Sequence, residues 1–61
     1  MKGKTNVLLS NAFELSENEK YQEALKFYDK VLEIEPTNLD AIIDKGVTLQ
    51  NLGQLHDAIK V

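Results

Sequence analysis

The chain has 61 residues and a mass of 6.9 kDa, which allows one small domain and leaves little room for the enclosed cleft of most enzymes. Seven lysines against ten acidic residues give a net charge of −3, which argues against a nucleic-acid partner because such partners usually meet a basic surface. The absence of cysteine excludes disulfides and suits a reducing compartment. No apolar run approaches the ~20 residues that cross a bilayer, so we expect a cytoplasmic protein without a membrane partner.

The first predicted element is an amphipathic helix after a short N-terminal tail, residues 1–4, that we expect to be flexible. Its core face repeats at i, i+4 and i+7, as Leu8, Ala12 and Leu15. A second apolar stripe, rotated by about 100°, consists of Leu9 and Phe13. The polar stretch 16–20 then interrupts the pattern and predicts a turn.

Helical periodicity resumes at Tyr21 and is stopped by Pro36, because the residue before a proline avoids the α region. The apolar face of this second helix consists of Ala24, Leu25, Tyr28, Val31 and Leu32. Asn38 is placed to cap a third helix, and Asp40 lies in its first turn, where negative charge suits the helix dipole.

The third helix is expected to bury Ile42, Gly46 and Leu49 and to end at Gly53, which readily takes a left-handed conformation. A fourth segment then runs from Leu55 to Val61. No stretch alternates with period two, so no strand is predicted. The fold class is therefore all-α, with three full helices and a truncated fourth.

An internal repeat relates the two halves of the chain. Residues 5–27 align without a gap on residues 39–61, a shift of 34. The matched pairs include Leu8 with Ile42, Ala12 with Gly46, Leu15 with Leu49, Leu9 with Ile43, Phe13 with Val47, Ala24 with Ala58 and Leu25 with Ile59. Glu19 aligns with Gly53. Because a left-handed glutamate is disfavoured, we expect Asn18 to take that conformation or the first turn to differ.

This helix–turn–helix period resembles the tetratricopeptide repeat. The first unit carries Leu8, Asn11-Ala12, Leu15, Ala24, Tyr28 and Pro36 at the positions of that family's pattern, and the second carries Ile42, Lys45-Gly46, Leu49 and Ala58. The resemblance implies antiparallel helix pairs from an α-solenoid, with one repeat over residues 5–38 and a truncated repeat over residues 39–61. Two departures are Asn11 in place of an apolar residue and Leu8 in place of a tryptophan.

The resemblance also implies a non-enzymatic interaction module, or scaffold, that binds a peptide or an amphipathic helix on a concave surface lined by the first helix of each pair. The implied partner-binding residues are Asn6, Leu9, Phe13, Ser16, Asp40, Ile43, Val47 and Gln50. Their apolar members either widen the core, form an open groove for a helix, or form a groove that a second copy fills.

Self-association is a further expectation, because about three repeats are normally needed for stability. The alternative function is a structural assembly unit whose only partner is itself. The copies could stack end to end on Val31, Leu32 and Ile34, fill each other's groove, or exchange their third and fourth segments through a hinge at residues 52–54.

Other chemistry has little support. His56 has Lys60 four residues later, so no pair of metal ligands forms there. No serine or threonine has a histidine partner at a recognisable spacing, and the three glycines are isolated from one another. We therefore expect no cofactor, no metal and no catalytic site.

Overall fold

The protein is described by a computed structural model that covers residues 2–60, with side chains described for residues 3–55. This part of the chain forms three helices and no strand: α1 (Lys2–Glu17), α2 (Tyr21–Ile34) and α3 (Leu39–Lys60). Helix α2 packs against both α1 and α3. The predicted all-α class is confirmed.

Helix α1 begins at Lys2, so residues 2–4, which were expected to form a tail, lie in its first turn. Met1 lies outside the described residues. Gly3 lowers helix propensity by only about 1 kcal/mol relative to alanine. Packing of the later apolar residues of α1 against α2 outweighs this cost, because burial of one large aliphatic side chain stabilises the fold by about 1.5–3 kcal/mol.

The turn between α1 and α2 is a Schellman motif. The Glu19 N–H donates to the Ser16 carbonyl (3.1 Å), and the Lys20 N–H donates to the Leu15 carbonyl (2.8 Å). Glu19 has a φ of 62° and so takes the left-handed conformation itself. The expectation that Asn18 would do so is wrong, because the two hydrogen bonds fix the left-handed position one residue later.

The core lies between the three helices. It consists of Leu9, Ala12, Ala24, Tyr28, Val31 and Ala41, with Leu8, Leu15, Phe27 and Leu32 packed against it. Tyr28 lies in this cluster together with the small residues Ala12, Ala24 and Ala41. Val31 is fully buried, which contradicts its predicted place on an exposed stacking surface. It lies on the side of α2 that packs in the core, whereas Ile34 remains half exposed at the end of the helix.

Asn38 caps α3 as predicted, because its Oδ1 accepts a hydrogen bond from the Ala41 N–H (3.0 Å). The Asn38 amide also donates to Glu35 Oε1 (2.8 Å), and Thr5 Oγ1 donates to Glu35 Oε2 (3.4 Å). Glu35 therefore links the start of α3 to α1. A salt bridge between Lys45 and Asp29 (2.6 Å) joins α3 to α2.

Helix α3 runs without a break through Gly53, so the predicted turn and separate fourth segment are absent from the described residues. A glycine inside a helix costs about 1 kcal/mol, and the neighbouring Leu52 and Gln54 are good helix formers. No proline follows to stop the helix. Val61 lies outside the described residues.

The buried face of α3 also differs from the prediction. Ala41 and Thr48 are buried, whereas Ile42, Gly46 and Leu49 are exposed. In α1 the equivalent of Ala41 is Val7, which is 61% exposed. Both helices pack against α2. They bury different sides because α2 follows α1 in the chain but precedes α3.

Candidate functional site

The predicted partner-binding residues gather along a groove between α1 and α3, which we call the α1–α3 groove. Two cavities form it. One of about 240 Å³ includes Phe13, Ser16 and Val47, and another of about 480 Å³ includes Asn6, Leu9 and Asp40. The remaining predicted residues, Ile43 and Gln50, are exposed and do not line these two cavities.

The smaller cavity has an apolar wall on each side. Phe13 on α1 packs edge-on against Tyr28 of α2, with ring centroids 6.5 Å apart at 89°. Val47 faces it from α3 and is 49% exposed. The Ser16 and Thr48 hydroxyls are 3.3 Å apart and form a hydrogen bond that ties the two helices together. This hydrogen bond joins α1 to α3 beside the groove, and the groove presents apolar surface to solvent.

Leu9 is the predicted site residue that the structure places mainly in the core, at the edge of the larger cavity. It is only 8% exposed and belongs to the core, so little of its side chain is available to a partner. Leu9 and Phe13 lie at the boundary of the core, and Leu9 is covered more completely than Phe13. Of the alternatives open for this stripe, the core therefore accounts for Leu9, whereas Phe13 and Val47 remain accessible.

All charged residues that line the two cavities are acidic. They are Glu17 and Asp44 in the smaller cavity and Glu35 and Asp40 in the larger one. Partial burial raises the pKa of Asp44, and the negative charge of Asp40 raises it further. Burial also raises the pKa of Tyr28, although its hydrogen bond with Thr48 partly lowers it. The groove thus combines apolar surface with negative potential.

Thr48 is a site residue that sequence reasoning missed. It is fully buried and contacts both Ser16 and Tyr28. Its signal in the sequence is a second helical stripe on α3, formed by Ala41, Lys45, Thr48 and Leu52 at i, i+4, i+7 and i+11. This stripe was obscured because two of its four members are polar.

A second apolar surface lies on the opposite side of α3. We define the outer face of α3 by Ile42, Gly46 and Leu49, of which the two large side chains are 46% and 49% exposed. A Cβ built on Gly46 would have no heavy atom within 4 Å. The sequence predicted that these residues face a closely packed helix, and no such helix is present among the described residues.

The described residues contain no cluster of three or more histidine, cysteine or carboxylate groups able to hold a metal ion. The His56 side chain lies outside the described residues, and so does any contact it makes. None of the helices, over the part of the chain that was described, is both long and apolar enough to cross a membrane.

A family profile described as tetratricopeptide repeat matches residues 15–61, which is more than half of the chain. The chain is 35% identical over 60 residues to trafficking protein particle complex subunit 12 of Mus musculus. That alignment covers 98% of this chain and 8% of the mouse protein, so the chain spans a small part of its relative. No solved structure matches the chain significantly.

Proposed function

Because the chain belongs to the tetratricopeptide repeat family, whose members generally act as protein–protein interaction modules, we propose that it binds an amphipathic helix in the α1–α3 groove. The observation that carries this proposal is the pair of exposed apolar side chains, Phe13 of α1 and Val47 of α3, that line the same cavity of the groove. Burial of such side chains by a partner is the main source of binding free energy.

The acidic residues that line the groove favour a partner with basic side chains. Glu17 and Asp44 flank the apolar pair, and Asp40 lies further along the same groove. An apolar stripe bordered by lysine or arginine would satisfy both the apolar and the acidic surface, whereas an acidic helix would be repelled. The preferred partner is therefore a basic amphipathic helix, with Asn6, Ser16 and Asp40 setting its register.

Two synthetic helices test this proposal directly. One carries leucine at i, i+3 and i+7 with flanking lysines, and the other carries glutamates in place of the lysines. Fluorescence anisotropy should show binding of the lysine peptide at least about tenfold tighter than that of the glutamate peptide, and added salt should reduce the difference. Equal affinity for the two peptides, or binding of neither, would contradict the proposal.

A matched pair of variants locates the binding surface. Val47 and Leu49 lie on the same helix and are both 49% exposed, but Val47 lines the groove and Leu49 belongs to the outer face of α3. We expect Val47→Lys to weaken binding of the lysine peptide by about tenfold or more, and Leu49→Lys to leave it unchanged. Circular dichroism should show unchanged helicity in both variants. Phe13→Lys is a less clean probe because its ring also packs on Tyr28.

A second proposed property is self-association, and the outer face of α3 supports it. Ile42 and Leu49 expose about half of their surfaces on the same side of one helix, and contiguous apolar surface of this kind usually marks an interface. A structural assembly unit that binds only its own copies is the corresponding alternative function. The two functions use different faces of α3, so Val47→Lys and Leu49→Lys separate them.

We also propose the kind of assembly and the cellular compartment in which these interactions take place. The mouse relative is by name a subunit of a protein complex, and we propose that this chain likewise acts as a scaffold within an assembly. The lack of cysteine is compatible with the reducing cytoplasm. The net negative charge disfavours nucleic acid and anionic membrane surfaces as partners.

A further inference from the structure

The internal repeat shows what is missing from the outer face of α3. In the first unit, Leu8, Ala12 and Leu15 form the equivalent stripe on α1, and α2 covers it. Ala12 is fully buried there, in the same cluster as Ala24 of α2. In the second unit, the equivalent Gly46 has open space around it. The outer face of α3 is thus built to receive a helix that resembles α2 but remains uncovered.

The second unit also carries the residues for a turn that it does not make. In the first unit, the Schellman motif places Glu19 in the left-handed conformation and uses the Leu15 and Ser16 carbonyls. The corresponding residues are Gly53, Leu49 and Gln50. Glycine is the residue that this position favours, yet Gly53 stays helical and α3 continues to Lys60.

The segment beyond Gly53 resembles the start of α2. In the repeat register, Ala58 and Ile59 correspond to Ala24 and Leu25, and Asp57 and Lys60 correspond to Glu23 and Lys26. While α3 is straight, residue 58 lies about 18 Å along the axis from residue 46, at 1.5 Å per residue. The segment of one chain therefore cannot cover the outer face of its own α3.

We infer that residues 54–60 of a second copy cover the outer face of α3, so that two chains exchange these segments reciprocally. Each copy supplies one uncovered face and one straight segment, so the reciprocal exchange gives a closed dimer with two-fold symmetry. The inference rests on the self-association proposed above and names the surface and the segment that produce it.

End-to-end stacking fits the structure less well. It was expected to use Val31, which is buried in the core of its own chain. The exposed side of α1, marked by Val7, and the outer face of α3 each lack a helix of the α2 type. Joining these two sides would bring the first helices of two units together without the helix that separates them in this fold. Exchange supplies that helix, and stacking does not.

Cysteine pairs test the exchange, because the chain has no cysteine of its own. The double variant Gly46→Cys with Ala58→Cys places thiols at the positions that correspond to the buried Ala12 and Ala24. The exchanged dimer should form an intermolecular disulfide under mild oxidation, seen as a dimer on a non-reducing gel. The control Val47→Cys with Ala58→Cys places one thiol on the groove side of α3 and should stay reduced.

The outcomes separate the exchange from self-association in general. An intramolecular disulfide between the two introduced thiols, at positions 46 and 58 of one chain, would show that the segment folds back on its own chain, which overturns the inference. Free thiols in a chain that sediments as a dimer would overturn the exchange and leave self-association intact. Free thiols in a chain that sediments as a monomer would overturn both.

Discussion

Glu19 has an unfavourable backbone conformation that its position in the turn requires. Its φ of 62° costs about 1–2 kcal/mol for a residue with a Cβ, and the two Schellman hydrogen bonds of Glu19 and Lys20 compensate for that cost. The sequence indicated that a left-handed residue was needed near this point, since Gly53 occupies the equivalent place. It could not show which residue would take it, because the hydrogen-bond pattern depends on where α1 ends.

Replacement of Glu19 with glycine should therefore stabilise the protein. Removal of the strain raises the free energy of unfolding by about 1–2 kcal/mol. The greater freedom of glycine in the unfolded chain lowers it by about 0.4–1 kcal/mol, so we expect a net increase of about 1 kcal/mol. Urea unfolding at one fixed protein concentration measures this difference. Glu14→Gly, inside α1, is the matched control and should lose about 1 kcal/mol. A Glu19→Gly variant no more stable than the parent chain would contradict this reading of the turn.

At the scale of elements, the sequence predicted α2 and the start of α3 well because local rules determine both. Pro36 limits α2, and Asn38 caps α3 through the Ala41 N–H. The face that α3 buries was predicted wrongly. Ile42 and Leu49 formed the more apolar stripe, but the choice between two stripes depends on where α2 lies, which is a tertiary contact. The continuation of α3 past Gly53 was missed for a related reason, since glycine permits a turn without enforcing one.

Gly53 should control the balance between a straight and a folded-back α3. Alanine favours the helical conformation by about 1 kcal/mol over glycine and disfavours the left-handed one, so Gly53→Ala should stabilise the exchanged dimer relative to a chain folded back on itself. We expect the dimer dissociation constant to fall by about tenfold, measured by light scattering after size-exclusion chromatography at a series of dilutions.

The control for this prediction is Gly3→Ala. An added Cβ has no neighbour within 4 Å at either glycine, but Gly3 lies in the first turn of α1, far in sequence from the hinge. It should leave the dimer dissociation constant unchanged. Equal effects of the two substitutions, or no effect of Gly53→Ala, would show that residue 53 does not act as the hinge.

At the scale of the whole molecule, the described chain is elongated, with extents of 45 × 19 × 13 Å. Its core is narrow, and two sides of α3 carry apolar side chains in water. A chain of this size buries only about 60% of the surface that its unfolded form exposes, so its stability is small unless another surface covers what remains. The sequence predicted the α1–α3 groove at Phe13 and Val47 because both lie one stripe away from the core. It did not show that Leu9 is mostly buried in the core, because the width of the core stripe depends on packing.

We propose that α3 has two separate interfaces, a groove side for a partner helix and an outer face for a second copy. Sedimentation equilibrium at micromolar concentration tests this most directly, on the unaltered chain and on Val47→Lys and Leu49→Lys. We predict a dimer for the unaltered chain and for Val47→Lys, and a folded monomer for Leu49→Lys. A folded monomer of the unaltered chain, or a dimer that survives Leu49→Lys, would contradict the account.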